Sequence, residues 1–255
     1  GEGVSGGSLA GPNGDLPATL SVVCRTGSGI TVSTPDGSGM MGSGLLAVGS
    51  IMASVAIPRL MSVRLETNEK AAASTMWSLA SAEAQIQSTA IVDVDGDGAG
   101  EYGFLGELTG TTPIRGTNEL LGPAILPKNP PTGPDGIWSR AGYHFIVYLP
   151  TPKNGAISES KAKDGRDVAA DDAEIHWIAY GWPVSGGQTG NRVYVLDEGG
   201  DMMCCERPGG KYSGLEHRPA FDACWPAKKG IDRSDGKPYQ GNDGLTWQMV
   251  PYPRR

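Results

Sequence analysis

The chain has 255 residues, enough for one large domain or two small ones with a real buried core. Hydrophobic residues make up 38% and charged residues 19%, which excludes a strongly disordered chain and a multi-span membrane protein. A net charge of −7 excludes the basic footprint that nucleic-acid binding needs, and it fits cation binding or plain solubility. With 39 glycines and 19 prolines, the chain is expected to turn often around a modest regular core.

In chain order, residues 1–18 are rich in Gly, Ser and Pro and read as a flexible start. The first residue is Gly1, which points to processing or to a chosen boundary. Two short β-patterned runs follow, around residues 20–24 and 30–32, with Thr26-Gly27-Ser28-Gly29 between them as the turn of a hairpin. From 37 to 58 there are 22 residues without a charge. As a helix they span about 33 Å, close to the hydrocarbon thickness of a bilayer. Leu45, Leu46, Val48, Ile51, Val55 and Ile57 supply the apolar surface, and the intervening Gly and Ser suit close helix–helix packing. A buried core helix is the alternative.

Pro58 is expected to kink or locally melt this helix, since it removes a backbone donor. Beyond it, residues 59–88 carry Arg59, Arg64, Glu66, Glu69, Lys70 and Glu83, while Met76, Leu79, Ala82 and Ile86 recur at helical spacing. One long helix over 44–88 is therefore predicted, apolar at its start and one-sided at its end. A β-rich head is expected over 89–255. Its strands are placed at 143–149, 174–180 and 192–197, with a turn at Glu198-Gly199-Gly200. Residues 150–172 read as a charged loop, and the chain from about 206 onward as turn-rich and irregular.

Four cysteines suggest an exported protein with one or two disulfides, because no paired zinc spacing is present. Adjacent Cys204 and Cys205 bridge each other only with strain, so one of them is expected to pair with Cys224. Cys24 takes the other, within the chain or across a subunit contact. Four free thiols in a reducing cell are the alternative.

Asp93, Asp95 and Asp97 at alternate positions place three carboxylates within reach of one cation, and hard oxygen ligands of this kind suit calcium. Gly96 and Gly98 permit the turn that converges them. The pattern departs from an EF-hand at its twelfth position, Phe104, and Glu101 is the substitute ligand. A solvated acidic turn is the competing reading. The histidines His144, His176 and His217 lie far apart, and no nucleophile elbow or phosphate-binding glycine loop accompanies them, so no enzyme is expected. Trp177, Tyr180 and Trp182 are assigned to core packing, and Trp225 and Trp247 to pinning irregular chain onto the head.

Ala56-Ile57-Pro58-Arg59-Leu60 followed by Asn68-Glu69-Lys70-Ala71 resembles the first helix of type IV pilins and the pseudopilins of type II secretion. Four head segments resemble one bacterial subgroup of pilin-like proteins and keep its order: 98–108, 142–145, 177–184 and 189–192. The resemblance covers roughly 44–203. It implies an α+β fold, with a long N-terminal helix packed against a small antiparallel sheet. It further implies a subunit of an extracellular filament, anchored in the inner membrane before assembly and polymerising with copies of itself or with other pilins or pseudopilins. The alternatives are a minor pseudopilin and a membrane-anchored module binding carbohydrate or metal. Calcium also occurs in the family's pseudopilins, generally in a later loop, where Asp232, Asp235 and Asp243 are the local counterparts. The chain departs from the family pattern at its start. The positions of the usual first residue and of the fifth-position Glu fall near Gly37 and Met41, and some forty residues precede the helix. Residues 19–33 are accordingly expected to make an inter-subunit contact.

Overall fold

The structure, a computed structural model, describes the backbone at 22–23, 31–32, 43–128, 136–159, 162, 167–206, 208, 210–227 and 236–250, and side chains from residue 61 onward. The side chains of the apolar run 45–58, Cys24, Asp232 and Asp235 lie outside the described residues. The chain divides into two compact units, Gly1–Ile57 and Pro58–Arg255.

In the first unit, β1 (Val22–Val23) pairs antiparallel with β2 (Thr31–Val32), Val22 opposite Val32. The 46-residue helix α1 (Ser43–Ser88) contributes to both units and stays helical through Pro58, so the melted turn expected there is not formed. Among the described residues, no helix is long and apolar enough to cross a membrane.

The second unit is α+β. After α1 come α2 (Leu105–Leu108), β3 (Trp138–Arg140), β4 (Tyr143–Thr151), β5 (Gly155–Ser158), α3 (Ala170–Ala173), β6 (Ile178–Pro183), β7 (Arg192–Asp197), β8 (Met203–Glu206), β9 (Tyr239–Gln240) and β10 (Thr246–Met249). They form an eight-stranded antiparallel sheet in the order β3-β4-β6-β7-β8-β10-β9, with β5 on the outside of β4.

Both faces of this sheet are covered, which explains why β4 and β6 read as nearly continuous apolar runs. On one face Tyr143, Phe145, Val147, Leu149, Ala179, Tyr194 and Leu196 meet the α1 stripe Ala72, Met76, Leu79, Ala82 and Ile86, whose members are at most 2% exposed. On the other, Ile146, Tyr180, Trp182, Val193 and Val195 are covered by the C-terminal segment through Tyr212, Ala223, Cys224 and Trp247. That segment forms a second layer in place of the expected irregular tail. Its turns are pinned by buried polar tips: Tyr180 Oη donates to the Phe221 carbonyl at 3.0 Å, and Trp182 Nε1 to the Gly214 carbonyl at 2.7 Å.

Three expectations are corrected. The strand placed at 174–180 begins only at Ile178, because 170–173 is helical and Glu174 closes that helix. The sheet is larger than expected, since β3, β5, β8, β9 and β10 join it. The bridge from Cys204 or Cys205 to Cys224 is not formed. Successive strand residues face opposite sides, so Cys204 lies in the α1 layer while Cys205 and Cys224 share the other core.

The α1 stripe carries the packing, so Met76→Ala is expected to cost about 2–5 kcal/mol. Met61→Ala, at a position 48% exposed on the same helix, should stay within about 0.5 kcal/mol. Urea unfolding of the two variants checks the contrast.

Candidate functional site

The acidic loop follows α1 directly. Asp93 accepts the Gly96 amide at 2.7 Å and the Gly98 amide at 3.2 Å, Asp95 the Asp97 amide at 3.3 Å, and Asp97 the Ala99 amide at 2.8 Å. The glycines adopt φ of 77° and 92°, a left-handed backbone that turns the three carboxylates together. One oxygen from each of Asp93, Asp95 and Asp97 lies within 4.8 Å of the others.

A second set shares Asp95. Asp171 on α3 and Glu174 at its C-terminal end bring oxygens within 4.8 Å of Asp95 and of each other. Glu174 Oε1 is shielded from solvent and has no hydrogen-bond partner among the described residues. Desolvation, followed by the charges of Asp97, Asp95, Asp171 and Glu101, pushes the Glu174 carboxyl up. Asp95 is pushed up as well, by desolvation and then by Asp97 and Asp171. Asp171 and Glu174 are the site residues that sequence reading missed. Some 75 positions separate them from the loop, and only the fold brings them to it.

Glu101 does not join either set. It is 1% exposed, accepts the Val94 amide at 2.7 Å and pairs with Arg115 Nη1 at 3.0 Å. Burial raises its carboxyl, and the Arg115 charge offsets part of that rise. Arg115 also donates through Nε to both oxygens of Glu107, at 3.1 and 3.2 Å, and through Nη2 to the Tyr102 carbonyl. Glu107 in turn accepts the Phe104 and Arg115 amides, each at 2.7 Å. The segment from 101 to 115 is thereby wrapped around one buried guanidinium.

Glu83, expected on the polar face of α1, is instead 0% exposed. It lies beside Ala82 on the buried stripe, where Oε2 accepts the Gly103 amide at 2.9 Å and Oε1 has no partner among the described residues. Burial holds its carboxyl well above the ordinary carboxylate range, so it is neutral there.

Other sequence candidates resolve into structural roles. Asp243 accepts from Tyr212 Oη at 2.8 Å and from the Leu245 amide at 2.9 Å, which fixes a C-terminal turn. His144 Nδ1 and Ser139 Oγ, 2.6 Å apart, form a cross-strand pair between β3 and β4, with the ring packed on Trp182. His176 lies before β6 rather than in a strand and pairs with Glu198 at 2.8 Å. Trp177, Tyr180, Trp182 and Trp247 are buried, whereas Trp225 is 44% exposed.

Polar side chains of α1 also fix head backbone directly. Asn68 Nδ2 donates to the Thr189 carbonyl at 2.9 Å, and Glu69 accepts the Asn191 amide at 2.8 Å. Gly142 passes so close that an added Cβ would stand 2.9 Å from Asn68 Nδ2, and one at Gly190 would strike the Tyr143 ring. No family model, curated protein or solved structure matches the chain.

The neutral state of Glu83 gives stability a pH slope. In the unfolded chain this group ionises near 4.5, and in the folded chain only well above that. Between the two values the folded state holds the extra proton, so stability falls as pH rises above about 4.5. Glu83→Gln removes this dependence. Its unfolding midpoint is expected to rise relative to the native chain as pH rises above about 4.5, until the raised folded-state value is passed, with a constant offset below that range. Paired denaturation curves measure it, and a flat difference contradicts the assignment.

Proposed function

We propose that the chain is a structural, non-catalytic subunit of an extracellular bacterial filament of the type IV pilus kind. The apolar residues 44–57 anchor it in the inner membrane and then bundle among copies of itself, or of related pilins and pseudopilins, as hydrophobic burial drives assembly. The observation that carries this reading is α1. One 46-residue helix is divided between two compact units at Ile57/Pro58, and its described buried stripe, from Ala72 to Ile86, serves the head. The hairpin β1–β2 is the extra assembly contact, made against a neighbouring subunit.

A divalent cation site in the head joins this reading. Five carboxylates from two chain segments converge at Asp95 with no ion-pair partner among the described residues, and one Glu174 oxygen is shielded and unbonded among them. Calcium takes six to eight such oxygens, and it would relieve the mutual repulsion that raises Asp95 and Glu174. The cation then ties the end of α1 to α3.

Negative-stain microscopy of sheared surface material, labelled with antibody to the head, tests the filament reading. Long uniform filaments decorated along their length are expected. A stoichiometric complex with other pseudopilins and no filament points instead to a minor pseudopilin. Calcium calorimetry on the head tests the cation site. Saturable binding that is lost in Asp95→Ala, kept in Asp243→Asn and weakened as pH falls toward the raised carboxyl values is expected; no heat contradicts the site.

A further inference from the structure

A groove of about 560 Å³ opens in the second compact unit at one end of the sheet, where β4 turns into β5, β6 begins, β7 ends and the 221–225 turn closes over. That volume is the size of a small-molecule site. The segment 219–225 beside it is held from beneath. Tyr148 donates its hydroxyl to the Pro219 carbonyl at 2.9 Å, Tyr180 its own to the Phe221 carbonyl at 3.0 Å, and the Cys224 amide donates to Tyr180 Oη at 3.2 Å. The Trp225 amide donates to the Asp222 carbonyl at 3.0 Å, and the Trp225 carbonyl accepts the Asn242 amide at 2.8 Å.

This firmly held turn leaves its largest side chain in the open. Trp225, assigned from the sequence to pinning the segment, is 44% exposed, whereas Trp177, Trp182 and Trp247 are buried. Phe221 meets its ring edge to face, 5.4 Å between centroids at 88°. An indole fixed on a rigid turn and facing a groove is a stacking surface ordered before any ligand arrives. The lining also carries Thr151, Asn154, His176 and Glu198. His176 Nδ1 and Glu198 Oε1 stand 2.8 Å apart, and Glu198 Oε2 accepts the Trp177 amide at 3.3 Å. Imidazole and carboxylate therefore orient one another, and the backbone orients both.

We propose that this groove binds a neutral saccharide, with one pyranose ring stacked on Trp225 and its hydroxyls hydrogen-bonded to Thr151, Asn154 and the His176–Glu198 pair. A pyranose has an apolar C–H face and a rim of hydroxyls, each both donor and acceptor. Indole suits the face. A hydroxyl, an amide, an imidazole and a carboxylate together offer the donors and acceptors that the rim needs. A purely apolar ligand would take the same polar groups out of water and return no hydrogen bond. The groove belongs to the second compact unit, so its ligand does not depend on the filament reading.

Lactose, cellotriose and maltotriose are the probes, each titrated into the chain of residues 1–255 and followed by saturation-transfer NMR and tryptophan fluorescence. Saturable binding of at least one is expected, with transfer strongest to ring C–H protons and an affinity that does not change with added salt. Trp225→Ala should weaken it about tenfold, Trp225→Phe should retain part of it, and His176→Ala should weaken it severalfold. Asp95→Ala should leave it unchanged. Because Trp225 and His176 are exposed, circular dichroism of their variants should match the native chain. The proposal is overturned by absence of saturable binding for all three sugars, or by affinities equal in Trp225→Ala and the native chain.

Discussion

The second half of α1 is the ruler on which the head is laid out. At one end, the neighbours Asn68 and Glu69 hold the 189–191 turn through its backbone. At the other, Glu83 holds the Gly103 amide. Fourteen residues, about 21 Å of helix, separate the two fixings. Between them Met76 and Leu79 meet the sheet. The register of β6 and β7 against the helix follows from the first fixing, because the 189–191 turn joins those two strands. The path of the 94–115 segment follows from the second. Glycines stand where backbone passes the helix closely, and a side chain at Gly142 would push Asn68 out of position.

Charge is managed differently on the two sides of the acidic loop. Inward, Glu101 and Glu107 share Arg115, so two buried carboxylates are answered by one guanidinium and several amides. Removing that arginine would strand both charges, the most costly kind of loss in a protein interior. Outward, Asp93, Asp95 and Asp97 accept amides of their own turn, and Asp95 meets Asp171 and Glu174. The same stretch of chain therefore has one face closed by an arginine and one face where carboxylates crowd one another. The interior clamp is what holds the exterior carboxylates in place.

Periodicity made α1 legible. Met76, Leu79, Ala82 and Ile86 repeat at helical spacing, and all four are buried. β7 was equally plain at 192–197, because its turn signal is strong. The strand beginning at Ile178 was placed too early, since Glu174-Ile175-His176 reads as β-patterned until Asp172 and Ala173 are seen to close a helix. β10 was missed because Thr246-Trp247-Gln248-Met249 is short and sits among turns; its partner Cys204 is over forty residues away. Glu83 defeated pattern reading for a physical reason. A charged residue type on a buried stripe is readable only when its partner, the Gly103 amide, is known. The acidic loop was half legible: Asp93, Asp95 and Asp97 are local, whereas Glu101 belongs to Arg115, and Asp171 and Glu174 come from a distant helix.

In this account a head built to hold a helix supports a helix built to meet copies of itself. The second compact unit begins at Pro58, and the proposed assembly would use the residues before it. Sedimentation velocity on two chains, one of residues 1–255 and one beginning at Pro58, tests that division most directly. The account predicts a folded monomer for the shorter chain and large concentration-dependent polymers for the longer one. Identical monomers for both, or a shorter chain that polymerises as readily, would contradict it.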